Sequence, residues 1–83
     1  MPDTPDHWIL KTDRLERDLQ FDDFKAALAY VNEVGRLAEE TNHHPDIAIH
    51  GWNKVKLTLT THDEGGLTDD DYKLASAINT LAT

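Results

Sequence analysis

The sequence predicts an α+β domain of order β-β-α-β-β-α, a four-stranded antiparallel sheet with both helices packed on one face. Three patterns predict it. In "KVKLTLTTH" Val55, Leu57, Leu59 and Thr61 alternate with Lys54, Lys56, Thr58, Thr60 and His62, the period-two signature of a half-buried strand. Between Asp22 and Thr41, Phe24, Ala27, Leu28, Val31, Gly35 and Ala38 recur at helical spacing, with Tyr30, Val34 and Leu37 widening the stripe. A third apolar series, Leu74, Ala75, Ile78, Leu81 and Ala82, follows a strong helix start. Two amphipathic helices and alternating strands bury every stripe when the helices share one face of the sheet.

Each element has a local reason. "MPDTPDH" has no periodicity and is expected to be a loose leader over residues 1–7, with a single domain over 8–83. Trp8–Lys11 and Leu15–Phe21 read as a hairpin joined by Thr12, Asp13 and Arg14. Asp22 is expected to cap the first helix by accepting a first-turn N–H. Pro45 ends that helix and biases His44 towards extended backbone. Ile47 and Ile49 suggest a strand, Gly51 and Asn53 a turn, and "DEGG" a second turn. Thr68 with Asp71 three residues on forms a capping box, bracketed by Leu67 and Tyr72 as a hydrophobic staple.

The totals exclude several classes of function. The chain has 83 residues and no cysteine, so no disulfide or thiolate zinc site holds it together. Sixteen acidic against eight basic residues give a formal charge of −8, which opposes direct binding to nucleic-acid phosphates. No apolar run is long enough for a membrane span and no signal peptide opens the chain, so a cytoplasmic location is expected. A domain this small, with two sheet edges and a first helix carrying two apolar stripes, Phe24/Ala27/Leu28/Val31 and Tyr30/Val34/Leu37, is expected to be at least a dimer.

The stretch "EETNHHPDIAIHGW" carries the chemistry. His43 and His44 follow the long helix, His62 ends a strand and Asp71 starts the second helix. Element ends meet at the rim of an α/β layer, so one cleft can hold all of them. Imidazole exchanges protons near neutral pH without help from a metal. A plainer account also exists. Histidine complements a helix C-terminus, proline stops the helix, His62 lies on a solvated strand face, and Asp71 caps. A metal centre is the weakest option, because adjacent histidines diverge on extended backbone and no HExxH is present; His50 with His62 has nothing else to support it.

These residues resemble a known family. Glu39, three residues, then His43-His44-Pro45, an aromatic residue at Trp52, His62 after nine intervening residues and Asp71 after eight more are similar to the signature of the pterin-4a-carbinolamine dehydratases, also known as the dimerisation cofactor of a homeodomain transcription factor. The resemblance covers residues 8–82, including "NKVKLTLTTH", "GLTDDDYKLA" and the long helix. Many relatives carry a further helical segment before the first strand; here seven residues precede Trp8, so an oligomer contact or part of the pocket wall is expected to differ.

The family's reaction is dehydration of a 4a-hydroxytetrahydropterin to the quinonoid dihydropterin, which recycles the pterin cofactor of aromatic amino acid hydroxylases. The resemblance implies His44 and His62 as the acid–base pair and His43 as a pocket-lining or orienting residue. Asp71, Glu39, Pro45 and Trp52 are implied around the substrate. Asp71 is expected to orient a histidine or touch the pterin, and Glu39 to bond His43 one helical turn on. Trp52 either stacks near the pocket or fills core beside Gly51. No metal and no organic cofactor are expected. The implied partners are a pterin, further copies of the chain as dimer or tetramer, and a hydroxylase or transcription factor. The rival function is a non-catalytic binding module of the same fold, either a transcriptional dimerisation cofactor or a scaffold like a RuBisCO assembly factor.

Overall fold

The computed structural model describes residues 3–61 and 65–82. It contains β1 (Ile9–Leu10), β2 (Leu15–Gln20), α1 (Phe24–Thr41), β3 (Asp46–His50), β4 (Lys54–Leu59) and α2 (Asp69–Ile78). All strand pairs are antiparallel, in the order β1-β2-β4-β3. The expected α+β architecture and element order are therefore observed.

Strand parity decides which face is covered. Leu15 pairs with Leu59, Arg17 with Leu57 and Leu19 with Val55, so β2 and β4 turn these residues to the same side. Val55, Leu57 and Leu59 join Ala27, Tyr30 and Val34 of α1 and Leu74, Ala75 and Ile78 of α2 in one core. The alternate residues, Glu16, Asp18, Lys56 and Thr58, lie on the other face, which no helix covers. A one-residue slip would invert both faces, so burial itself fixes the register.

Three boundaries differ from expectation. The residue capping α1 is Asp23, not Asp22: Asp23 has extended backbone immediately before the helix, and its Oδ1 accepts the Ala26 N–H at 2.7 Å. The first strand is only Ile9–Leu10, and both side chains are exposed. The Lys11 N–H donates to the Arg14 carbonyl and closes the turn, while Trp8 points into the core. In α1 the core stripe is Ala27, Tyr30, Val34 and Ala38, and Phe24 and Leu28 remain exposed. The wider series read from sequence is centred too far towards those two.

Asn79 ties the chain ends to the sheet. Its Oδ1 accepts from Trp8 Nε1 at 3.0 Å and from Arg17 Nη1 at 2.8 Å, and its Nδ2 donates to the Asp6 carbonyl at 2.8 Å. Arg17 is buried and has no carboxylate within ion-pair distance among the described residues, so this amide oxygen is its acceptor. On the opposite face, Arg14 Nε donates to Glu16 Oε2 at 2.7 Å and Lys56 Nζ lies 3.4 Å from Oε1. The Arg14 hydrogen bond holds the Glu16 carboxyl below its usual value, against the effect of burial and with Lys56 assisting.

Two outcomes are expected. Asn79→Leu leaves the Arg17 and Trp8 donors unsatisfied and should lower stability by about 2–3 kcal/mol in urea titration. Glu16 has a folded value below its unfolded value, so its stabilisation is present above the unfolded value of about 4.3 and disappears as pH falls through the folded one. The urea midpoint of Glu16→Gln should therefore lie below wild type near neutral pH and converge with it in acid.

Candidate active site

The C-terminus of α1 determines where the two histidines go. Asn42 takes the left-handed conformation (φ 53°), and its N–H donates to the Ala38 and Glu39 carbonyls. The His43 N–H also donates to the Ala38 carbonyl, at 3.1 Å. This pattern is a Schellman stop, which turns the chain sharply out of the helix. Pro45 then leads into β3. On the extended backbone that results, neighbouring side chains point to opposite sides, so His43 turns inward and His44 outward.

His43 reaches the start of α2. Its Nε2 lies 2.5 Å from Asp71 Oδ1, and the His43 side chain is 17% exposed while that of Asp71 is 0%. The other carboxylate oxygen, Oδ2, accepts the Thr61 hydroxyl at 2.8 Å and the Thr68 N–H at 3.0 Å. Thr61 and Thr68 hydroxyls are themselves 3.0 Å apart. The buried carboxylate thus has three donors, from the end of α1, the strand end after β4 and the N-cap of α2. It caps α2 and orients His43 at once. With Nε2 engaged by Asp71, Nδ1 is the His43 ring nitrogen left for other partners.

His44 opens to solvent and its Nε2 pairs with Glu39 Oε2. Glu39 was expected to meet His43 at i, i+4, but the helix stops at Thr41, so His43 no longer follows helical spacing. Asp71 has no exposed surface with which to touch a ligand, so of its two expected roles the geometry fits the orienting one.

Beside His44 the uncovered sheet face is concave. A small cavity of about 50 Å³ is lined by His44, Asp46, Thr58 and Thr60. It adjoins a groove of about 520 Å³ that shares Asp46, Thr58 and Thr60 and continues along Asp13, Arg14, Glu16, Gly65 and Gly66. That volume lies within the roughly 300–1,000 Å³ range of small-molecule clefts.

The fold brings Glu39, His43, His44, Pro45 and Asp71 to one rim. His62 lies outside the described residues. Trp52 is not brought to this rim within the chain: it sits in the turn at the far end of β3 and β4, 61% exposed, and so is not core filler either. Sequence reasoning missed Thr61 as a partner of Asp71, although a threonine on the apolar parity of its strand was the available signal. Asp13, Arg14, Asp46, Thr58 and Thr60 as groove lining left no signal beyond polar parity.

Fold and rim together define a small α+β domain with a carboxylate-anchored histidine pair beside a polar groove. Residues 2–81 match the family model for pterin 4 alpha carbinolamine dehydratase, and the chain belongs to that family. A protein of Acidobacterium capsulatum, named provisionally as a pterin-4-alpha-carbinolamine dehydratase, is 50% identical over 74 residues, covering 89% of this chain and 79% of that one. The crystal structure of a transcriptional coactivator/pterin dehydratase from Brucella melitensis superposes with a TM-score of 0.83 at 32% identity, covering 94% of this chain and 84% of that one. A pterin dehydratase-like protein identified as a RuBisCO assembly factor in the alpha-carboxysome shares the fold, with a TM-score of 0.67 at 23% identity over 87% of this chain and 82% of that one. Among the described residues no helix is long and apolar enough to cross a membrane.

Replacing Asp71 by Asn keeps its shape but supplies one acceptor oxygen where two are used. The variant should lose about 1–3 kcal/mol in urea titration, and Asp71→Ala more, because buried donors then lose their acceptor.

Proposed function

We propose that the chain dehydrates a 4a-hydroxytetrahydropterin to the quinonoid dihydropterin and water, by imidazole acid–base catalysis. Family membership gives the reaction class. The observation that carries the reading is the rim itself: His43 fixed by a fully buried carboxylate, with His44 next to it at the mouth of a polar groove.

In the reaction the C4a–oxygen bond breaks and the hydroxyl takes a proton to leave as water. A ring nitrogen gives up a proton, and its electron pair forms the new double bond. One proton is donated and one accepted, so a pair of imidazoles suffices and ends the cycle unchanged overall once the two protons re-equilibrate. His44 and His62 are the proposed pair. His43 is proposed to orient the heterocycle from the rim, its own ring held by Asp71. Glu39 restrains His44 in an exposed pair, which contributes only about 0–1 kcal/mol to stability. Thr58 and Thr60 offer hydroxyls to the polar edge of the ligand. The reading needs no metal and no organic cofactor.

The exposed Phe24 and Leu28 on α1 favour a second reading, in which the domain also docks on a protein such as a hydroxylase or transcription factor. That reading does not require the histidines.

The decisive assay supplies a 4a-hydroxytetrahydropterin generated by an aromatic amino acid hydroxylase and follows the quinonoid product. Wild type should accelerate its formation, and His44→Ala should lose about 10²-fold or more if the ring transfers a proton in the transition state. Full activity of His44→Ala would remove it from the acid–base pair. No acceleration by wild type would leave the binding-module reading.

A further inference from the structure

The groove beside His44 continues well past the histidines. The cavity at His44 itself, about 50 Å³, has room for only a few waters. A bicyclic ligand whose reacting carbon meets His44 therefore extends into the adjoining groove of about 520 Å³. Asp46 pairs with Thr58, and Thr58 with Glu16, so the groove floor runs straight across β3, β4 and β2. At about 4.8 Å per strand spacing, its Glu16 wall stands roughly 10 Å from its Asp46 wall.

Arg14 is held firmly at that far wall. Its carbonyl accepts the Lys11 N–H at 2.8 Å, and the Asp13 carbonyl accepts the Thr60 hydroxyl at 2.7 Å, which ties the turn to the strand end after β4. Arg14 Nε donates to Glu16 Oε2 at 2.7 Å, and Nη1 lies 3.4 Å from Asp13 Oδ1. The Nη2 hydrogens have no partner among the described residues. The Glu16 side chain is 12% exposed and that of Arg14 45%, so the carboxylate supports the guanidinium from beneath and the guanidinium meets the groove.

Donor and acceptor chemistry decides which end of a pterin lies there. The 2-amino group and N3–H are donors, and a guanidinium has no acceptor to offer them. Asp46 lines both cavities and has no ion-pair partner among the described residues, so the donor edge matches Asp46, on the His44 side. C6 is at the opposite end of the bicycle. A substituent on C6 then runs along the groove to Arg14.

We propose that the Arg14–Glu16 pair is a specificity determinant: it reads the substituent at C6 of the pterin and, through Glu16, excludes an anionic one. The inference rests on the pterin reading above. Among the described residues lining the groove, three carboxylates, Asp13, Glu16 and Asp46, face one guanidinium. A neutral hydroxyl accepts from the free Arg14 N–H groups without adding charge. A carboxylate or phosphate meets an arginine already neutralised by Glu16 and a surplus of negative charge. The Arg14 hydrogen bond also keeps Glu16 ionised at neutral pH, since it holds that carboxyl below its usual value. Removal of the Glu16 charge leaves Arg14 as an unneutralised fork, the geometry that binds carboxylates best.

Two fluorescent compounds test this. 6-Hydroxymethylpterin and 6-carboxypterin share the ring and differ in the charge of the C6 substituent near pH 7. In fluorescence titration, wild type should bind the hydroxymethyl compound roughly tenfold more tightly. Glu16→Gln should tighten binding of the carboxy compound roughly tenfold and change the other much less, so that the preference disappears. Asp13→Asn, an exposed change, should shift the preference the same way by a smaller factor, and carries the test should Glu16→Gln fail to fold. Arg14→Gln should weaken the hydroxymethyl compound severalfold, and Arg14→Lys should recover only part of that loss, because an ammonium lacks the planar fork. In the turnover assay these losses should appear in KM and not in kcat, which separates reading of the substituent from the proton transfers at His44. Equal binding of the two compounds by wild type, or an unchanged preference in both Glu16→Gln and Asp13→Asn, overturns the specificity role and leaves the dehydratase reading standing. Failure of wild type to bind either compound overturns the proposed placement along the groove. Absence of dehydration by wild type overturns the dehydratase reading and this inference with it.

Discussion

The buried carboxylate of Asp71 is the interaction on which the rest of the rim depends. It takes donors from three different parts of the chain: His43 after α1, Thr61 after β4 and Thr68 at the start of α2. A fully buried anion without donors would be strongly destabilising, so these three segments must close together or not at all. The same contacts that satisfy the charge also hold His43 in a single orientation. Folding and site assembly are therefore one event at this end of the molecule, and the histidine pair needs no loop of its own to position it.

Most of the fold was legible because burial imposes periodicity. Val55, Leu57 and Leu59 alternate without exception, and both helices show their stripes. The shortfalls have physical causes. Whether Asp22 or Asp23 caps α1 turns on one residue's backbone angles, which two adjacent aspartates do not distinguish. Trp8 looked like a strand residue because aromatics favour strands, yet its indole N–H needed the distant Asn79 oxygen, a contact 71 residues away that no local pattern reveals. In α1 the apolar set was broader than the core could use, so spacing alone did not say that Phe24 and Leu28 stay outside.

The site was legible in identity more than in wiring. Glu39, His43, His44 and Asp71 stood out as a set through their resemblance to a family signature, and all four share one rim. Their partners were crossed, however. Helical counting paired Glu39 with His43, but Asn42 stops the helix in the left-handed conformation and hands Glu39 to His44 instead. A signature records which residues recur and says nothing of which one bonds which. Trp52 makes the point more sharply, since the signature groups it with residues that the single chain keeps at the other end of a strand.

Two polar knots, one partly and one fully buried, divide the work of stabilising a domain with no disulfide to help. One is centred on Asn79 and binds Trp8, Arg17 and the Asp6 carbonyl, fixing the first strand region and the end of α2 against β2. The other is centred on Asp71 and fixes the start of α2, the end of α1 and the strand end after β4. Between them lies the apolar core of α2, Leu74, Ala75 and Ile78. Helix α2 is thus pinned at each end by a hydrogen-bonded side chain and along its length by packing. A knot built from a neutral amide serves where only shape is required. The carboxylate knot stands where an imidazole is held through one ring nitrogen, which leaves the other free for a further partner. Placing the carboxylate there lets one set of contacts both satisfy a buried acceptor and fix the His43 ring.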